Sequence, residues 1–373
     1  MDQERQFLPN LNGLRFIGAV SVLIFHLFTL NREIWGDFSS SQWFLWISKI
    51  ASKGHHGVGL FFVLSGFLIT QLLLKEIQRK GAIHPFNFLM RRILRIWPLY
   101  FLIVLFGFFL FPVLPYGMET QHSLLNYSLF LSNLDEIWNG LNDSLNFLTV
   151  TWSISIEEQF YLSWIALLFI FPFFRKGKFF LEYFILIILT VVAFRFFNHS
   201  DERVMYYHSL SCVSDLAVGG LCAIGVQRYQ LKEQIIRLGR SKIVIIYVLG
   251  LLSIFGSTLL FQNEFRSIER LIHASFFGFV ILEQVYSPNS FWKADRLQGF
   301  FKGGEITYGI YMYHCIFIYY FHLIFKEYEL TSSPVYFVGY CLLIFILTIG
   351  ISLLSNRYFE QPFLDLKDRF RKN

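Results

Sequence analysis

The sequence predicts an all-α integral membrane protein of about ten transmembrane helices with both termini cytoplasmic. Three observations predict it. First, of 373 residues 55% are hydrophobic, 20% aromatic and only 16% charged, with mean hydropathy +0.49, whereas soluble globular chains carry about 25% charged residues. Second, the apolar residues gather in ten stretches, each near the ~20 residues that cross a bilayer as helix. Third, the basic residues alternate. Of 32 Lys and Arg, 23 fall in one alternating set of regions between stretches and at their edges, 8 fall in the other set, and Arg15 lies inside a stretch. Positive loops stay cytoplasmic, so the alternation orients the chain, and an even number of spans agrees with it. A soluble enzyme is excluded on this composition. So is a collagen-like or disordered chain, with 25 Gly and 9 Pro in 373 residues. The net charge of +6 is spent on a membrane face, and nucleic acid is not an expected partner.

The stretches lie near 11–31, 57–75, 96–114, 151–174, 179–197, 206–227, 243–261, 268–286, 306–325 and 334–356. The first has an Arg inside it and no small-residue cleavage site after it, so it reads as a retained helix and not a signal peptide. The 115–150 gap has no Lys or Arg but holds Glu119, Asp135, Glu136 and Asp143, which places it outside. It is too short for a soluble domain, and there is no internal repeat. One membrane-embedded domain over 1–373, without an appended soluble domain, is the expectation. Cys212, Cys222, Cys315 and Cys341 sit in apolar runs and suggest neither a disulfide framework nor a zinc site.

Charge inside an apolar span costs several kcal/mol unless it is paired or faces a polar cavity. Three groups of residues meet that description. Arg15 and His26 are eleven residues apart, about three turns plus 20°, so they share one stripe of the first helix about 16 Å apart along its axis. Arg15 lies near the cytoplasmic end and suits phosphates or carbonyl oxygens. His26 lies in the outer half and suits proton transfer near neutral pH. Taken singly, Arg15 reads equally as a guanidinium snorkelling to headgroups, and His26 as a ring bonded to a neighbouring helix. Their shared stripe favours function.

The second group is Met90-Arg91-Arg92-Ile93-Leu94-Arg95-Ile96-Trp97-Pro98. Arg92 and Arg95 share a helix face and suit a polyphosphate; by charge alone they read as positive-inside anchors. The third is Thr151-Trp152-Ser153-Ile154-Ser155-Ile156-Glu157-Glu158-Gln159. Glu157 or Glu158 enters at about the depth of His26 and is expected to orient that ring. Adjacent helical residues point about 100° apart, so one of the two faces the site. The plainer reading is a carboxylate favoured by a helix N-terminus. Lesser candidates read as structural. His55 and His56 are expected in solvent, His314 as a satisfied bundle residue more readily than as a catalytic one, Asp215 as bonding a neighbour or facing a cavity, and the Gly57–Gly66 run as close helix packing.

These pieces together resemble the acyltransferase-3 family of integral membrane proteins. The resemblance rests on Leu11-Asn12-Gly13-Leu14-Arg15 with His26, on Gly57-Val58-Gly59 through Ser65-Gly66-Phe67-Leu68-Ile69, on Arg91-Arg92-Ile93-Leu94-Arg95-Ile96-Trp97-Pro98-Leu99-Tyr100, and on Thr151-Trp152-Ser153 through Tyr161. It continues in Tyr308-Gly309-Ile310-Tyr311-Met312-Tyr313-His314 and Tyr358-Phe359-Glu360-Gln361-Pro362. The family often has an acidic residue where Gly59 stands, which leaves open a missing acceptor or proton-relay contact.

The resemblance implies O-acylation of an envelope glycan or glycolipid, such as lipopolysaccharide, in the cytoplasmic (inner) membrane. The co-substrate would be a cytoplasmic acyl-CoA, most often acetyl-CoA, with no permanently bound cofactor and no metal. Its phosphates would meet Arg92, Arg95, Arg91 and Arg15. His26 would act as general base, oriented by Glu157 or Glu158. Arg15 could alternatively stabilise an oxyanion. Direct transfer and an acyl-enzyme on Ser65, Ser153 or Ser155 both stay open. A proton-coupled transporter, which also uses intramembrane Arg, His and Glu, is the rival reading, although its usual repeats and broken helices are absent from the sequence.

Overall fold

The structure is a computed structural model that describes residues 8–30, 32–117, 119–139, 146–330, 333–367 and 369–372. Among them secondary structure is helical throughout, with no strand. A long helix occupies each of the ten apolar stretches. They are α1 (Leu11–Thr29), α2 (His56–Lys80), α3 (Pro85–Leu105), α4 (Thr151–Ile170), α5 (Phe180–Phe197), α6 (Ser209–Arg228), α7 (Arg240–Phe255), α8 (Arg266–Tyr286), α9 (Thr307–Glu327) and α10 (Pro334–Ser355). By length and composition seven segments of the described residues are apolar enough to cross a membrane, or eight if the bent pair Leu231–Arg237 and Arg240–Phe255 is one span. That is the architecture of a membrane protein. Helices α8 and α9 fall outside this set. The first carries Arg266, Glu269, Arg270 and Glu283, and the second is rich in Tyr and His. Of the acidic residues expected in the 115–150 segment, Asp143 lies outside the described residues.

Helix α2 is the hub, packed on α1, α4, α6 and α8. Glycine makes the approach possible. A Cβ on Gly57 would lie 2.5 Å from the Gly18 carbonyl oxygen of α1, and one on Gly66 would lie 1.9 Å from that of Leu216 on α6. The expected small-residue packing therefore holds at both ends of the Gly57–Gly66 run. Helix α1 buries Ala19, Leu23 and Leu27 against Ile310 and Ile318 of α9 and Tyr340 and Ile344 of α10. Its N-terminus is capped from far along the chain: the backbone N–H groups of Asn10 and Gly13 donate to Asp295 at 2.6 Å each. A carboxylate there satisfies two orphan donors and sits at the positive end of the helix dipole. Exposed Leu186, Leu189 and Phe197 on α5, and Leu342, Ile346 and Leu353 on α10, mark the faces turned to lipid.

Candidate active site

Helices α1 and α9 bring two histidines together. His26 Nδ1 lies 2.7 Å from His314 Nε2, and the rings stack with centroids 5.0 Å apart. His314 Nδ1 lies 3.0 Å from the Ile310 carbonyl oxygen. A carbonyl only accepts, so Nδ1 of His314 carries a proton and the Nε2 of the neutral ring is an acceptor. His26 Nδ1–H therefore donates to His314, which leaves Nε2 of a neutral His26 as the lone-pair nitrogen. His26 also lines a cavity of about 430 Å³ with Cys315, Trp152, Tyr206, Tyr207 and Arg203.

This arrangement corrects one expectation. Neither glutamate partners His26; His314, expected as an ordinary bundle residue, is the hydrogen-bond partner. The three consecutive residues of α4 diverge as the 100° helical step requires. Glu157 accepts from Ser65 Oγ at 2.9 Å and Tyr161 Oη at 3.0 Å. Glu158 accepts from the Trp97 indole at 2.9 Å, and its Oε1 has no partner. Gln159 donates to the Phe130 carbonyl at 2.7 Å. The candidate serines are engaged as well. Ser65 donates to Glu157, Ser153 shares a hydrogen bond with Tyr311 Oη at 2.7 Å, and Ser155 shares one with Ser132 at 2.7 Å.

At the other end of the α1 stripe the arginines gather. Arg15 has Arg95, Arg92, Glu157 and Tyr161 as electrostatic neighbours, so α1, α3 and α4 meet there. Arg92 lies over the rings of Tyr161 at 5.4 Å and Phe88 at 5.9 Å, a stacking that suits a delocalised guanidinium. Its buried Nε has no hydrogen-bond partner. Arg15 donates to Asn12 Oδ1 at 3.2 Å. Each guanidinium has five N–H donors, so most of the donor capacity of this cluster is unused among the described residues. Arg91 does not belong to it. It forms an ion pair with Glu76 at 2.8 Å and donates to the Phe370 carbonyl at 3.1 Å.

One further expectation changes and another is met. His55 and His56 are not free in solvent: their rings lie 4.0 Å apart, and His56 meets His273 of α8 at 4.7 Å. Asp215 has a definite neighbour, since Arg270 donates to it at 2.9–3.0 Å. A Cβ on Gly59 would lie 3.4 Å from that same Asp215 carboxylate, so an acidic group stands beside position 59 although its own side chain is absent. The sequence alone assigns no site role to Arg270, Tyr311, Tyr206 or Cys315. Of these only Arg270 carried a signal, a charge within an apolar stretch.

The 119–139 segment, joined to the cavity lining through Arg203, is held by buried hydrogen bonds. His122 Nδ1 lies 2.5 Å from Asp135, which also accepts from Asn126, and Tyr127 donates to Glu136 at 3.1 Å. Burial opposes ionisation of Asp135, but the His122 and Asn126 hydrogen bonds outweigh it and hold the carboxyl below its usual range. Burial pushes the Glu136 carboxyl up. Arg203, at the cavity mouth, donates to the Glu136 carbonyl at 3.3 Å.

Comparison with known proteins adds chemistry to this geometry. Residues 8–353 match a family model described as an acyltransferase domain. A protein of Staphylococcus aureus strain COL, named provisionally as an O-acetyltransferase, is 25% identical over 379 residues, covering 97% of this chain and 58% of its own length. The O-acetyltransferase OatA of strain NCTC 8325 is 24% identical over 377 residues, covering 96% of this chain and 57% of its own. The chain thus spans less than three-fifths of the length of these relatives. No solved structure matches.

Proposed function

The chain belongs to the acyltransferase-3 family, and from that membership we propose that it transfers an acetyl group from cytoplasmic acetyl-CoA to a hydroxyl of a cell-envelope carbohydrate or glycolipid. The observation that carries the reading is that one helix, α1, joins two unlike ends. Arginines with unused donors lie at one end, and His26, with a free lone pair beside a cavity, lies at the other. In this reading α1 to α10 all cross the cytoplasmic membrane, with both termini inside, as the alternation of basic residues supports.

The phosphates of the donor bind Arg15, Arg92 and Arg95 by charge-assisted hydrogen bonds, and its acyl arm runs along the stripe toward His26. The cavity takes the acceptor. Trp152, Tyr206 and Tyr207 offer aromatic faces, and Asn146, Thr149 and Arg203 offer polar edges, a mixture that suits a sugar ring. His26 Nε2 removes the proton of the acceptor hydroxyl. The hydroxyl oxygen attacks the thioester carbonyl, the C–S bond breaks, and the CoA thiolate takes the proton from His26. His314, fixed by the Ile310 carbonyl, holds the ring in the tautomer this step needs and shares the imidazolium charge.

The test is transfer of label from acetyl-CoA by purified protein in inside-out vesicles supplied with a mixed glycolipid extract. Label reaching a glycan with wild type and not with His26→Ala is the expected result. Equal transfer by both proteins would remove His26 as the base. Neither transfer nor CoA binding by the wild type would overturn the reading.

A further inference from the structure

We propose that His26, His314 and Cys315 form a binding site for zinc, and that zinc held there takes His26 out of use as a base. Among the described residues, these make the one group of three His, Cys or carboxylate ligand atoms that lie within 4.8 Å of one another. The triangle is nearly that of a metal face. His26 Nδ1 and His314 Nε2 are 2.7 Å apart, and Cys315 Sγ is 3.3 Å from His314 Nε2 and 3.7 Å from His26 Nδ1. A tetrahedral zinc with Zn–N about 2.0 Å and Zn–S about 2.3 Å needs edges of about 3.3 Å between nitrogens and about 3.5 Å from nitrogen to sulfur. Only the edge between the histidines has to open, by about half an ångström.

Three other features fit a cation. His26 and Cys315 line the cavity, which gives an entry path and an open fourth position, as in zinc sites with three protein ligands and an exchangeable one. The far nitrogen of His314 is already anchored on the Ile310 carbonyl at 3.0 Å, the arrangement that orients a ligating imidazole and fixes its tautomer. The donor set of two imidazoles and one thiolate selects zinc or its neighbours in the transition series over magnesium or calcium.

Cys315 releases its thiol proton to the cavity. The Nδ1 proton of His26 moves to Nε2, so the ring stays neutral. Both lone pairs that faced the shared Nδ1–H···Nε2 bond now face the metal. The Nε2 lone pair that would accept the acceptor's proton no longer exists, so the filled site is inactive. One proton is released per metal, so affinity rises with pH. The binding rests on the ligand triangle alone; its consequence for transfer rests on the activity proposed above.

The test is titration of the purified full-length chain with Co²⁺, followed by absorbance, and then with Zn²⁺ as competitor. One equivalent with a thiolate-to-cobalt charge-transfer band is expected. Cys315→Ser should abolish the band, and His314→Gln should weaken binding at least tenfold. Wild type, but not Cys315→Ser, should gain thermal stability on adding Zn²⁺, which also reports that the variant is folded. No band, or a band that persists in Cys315→Ser because another cysteine carries it, would overturn the site. Metal bound through these groups while acetyl transfer proceeds undiminished would overturn the inhibitory role. The cobalt spectrum reads binding without an acceptor, so failure of the site and failure of the proposed activity are distinguishable.

Discussion

Two guanidiniums, one buried and one half-buried, show how differently the chain uses the same group. Arg195, in the last turn of α5, spends its donors on backbone: Nε on Ser267, Nη1 on Met205 and Ser211, and Nη2 on Arg266, at 2.9–3.4 Å. Arg92, where α3, α4 and α1 meet, has an unpartnered Nε and lies against ring faces. The histidines repeat the contrast. His122 is held by carboxylates of the 119–139 segment, whereas His26, which lines the cavity, is held through one nitrogen by a neutral ring. A buried polar group that is fully paired fastens the fold. One left with spare capacity implies a partner that comes and goes, because an unmade hydrogen bond at a buried donor costs about 1–3 kcal/mol.

The comparison is open to attack at each of these residues. The largest effect belongs to His26→Ala, which should lower acetyl transfer by about 10²–10⁴-fold, the usual share of a general base, with CoA affinity preserved. A loss of CoA affinity in place of turnover would make His26 a donor contact. Next comes His314→Gln, expected to cut kcat by about 10²-fold through misplacement of His26, to leave the KM for acetyl-CoA unchanged, and to shift the pH profile of kcat. A purely structural role would change stability and not that profile.

Smaller again, Arg92→Ala should raise the KM for acetyl-CoA about tenfold, the worth of one hydrogen bond to a charged group, at little cost in melting temperature. Arg195→Ala should do the reverse, lowering the melting temperature in detergent by several degrees while the KM holds. If the two arginines exchanged these outcomes, the division between fastening and binding would fail. The smallest effect is set by Asp135. Its native carboxyl titrates below the usual range, so its stabilisation is present above about pH 4 and is lost as pH falls through the native value. Glu136 is shifted the opposite way, so its stabilising contribution lies on the acid side and fades as pH rises. Asp135→Asn should flatten the acid limb of a melting-temperature profile, and an unchanged limb would place the acid sensitivity elsewhere.

Much of this molecule was legible in its amino acids. Each of the ten apolar stretches became a long helix, and seven or eight segments of the described residues are apolar enough to cross a membrane, because a backbone in a medium without water must satisfy its own hydrogen bonds, a demand that length and hydropathy record directly. The shared stripe of Arg15 and His26 was legible because helical periodicity alone sets it. The divergence of Glu157 from Glu158 follows from the same geometry. Which groups meet across helices was not legible. Asp295 capping α1, His314 taking the place expected of a glutamate, Arg91 leaving its neighbours for Glu76, and Asp215 beside Gly59 all join residues distant in sequence. Those pairings depend on which helix faces touch and how closely glycines let them approach. The sequence by itself determined the membrane class, the helices and the stripe, which are properties of single segments. Only the tertiary structure decided the partners, because a hydrogen bond between helices depends on the packing of both and is written in neither alone.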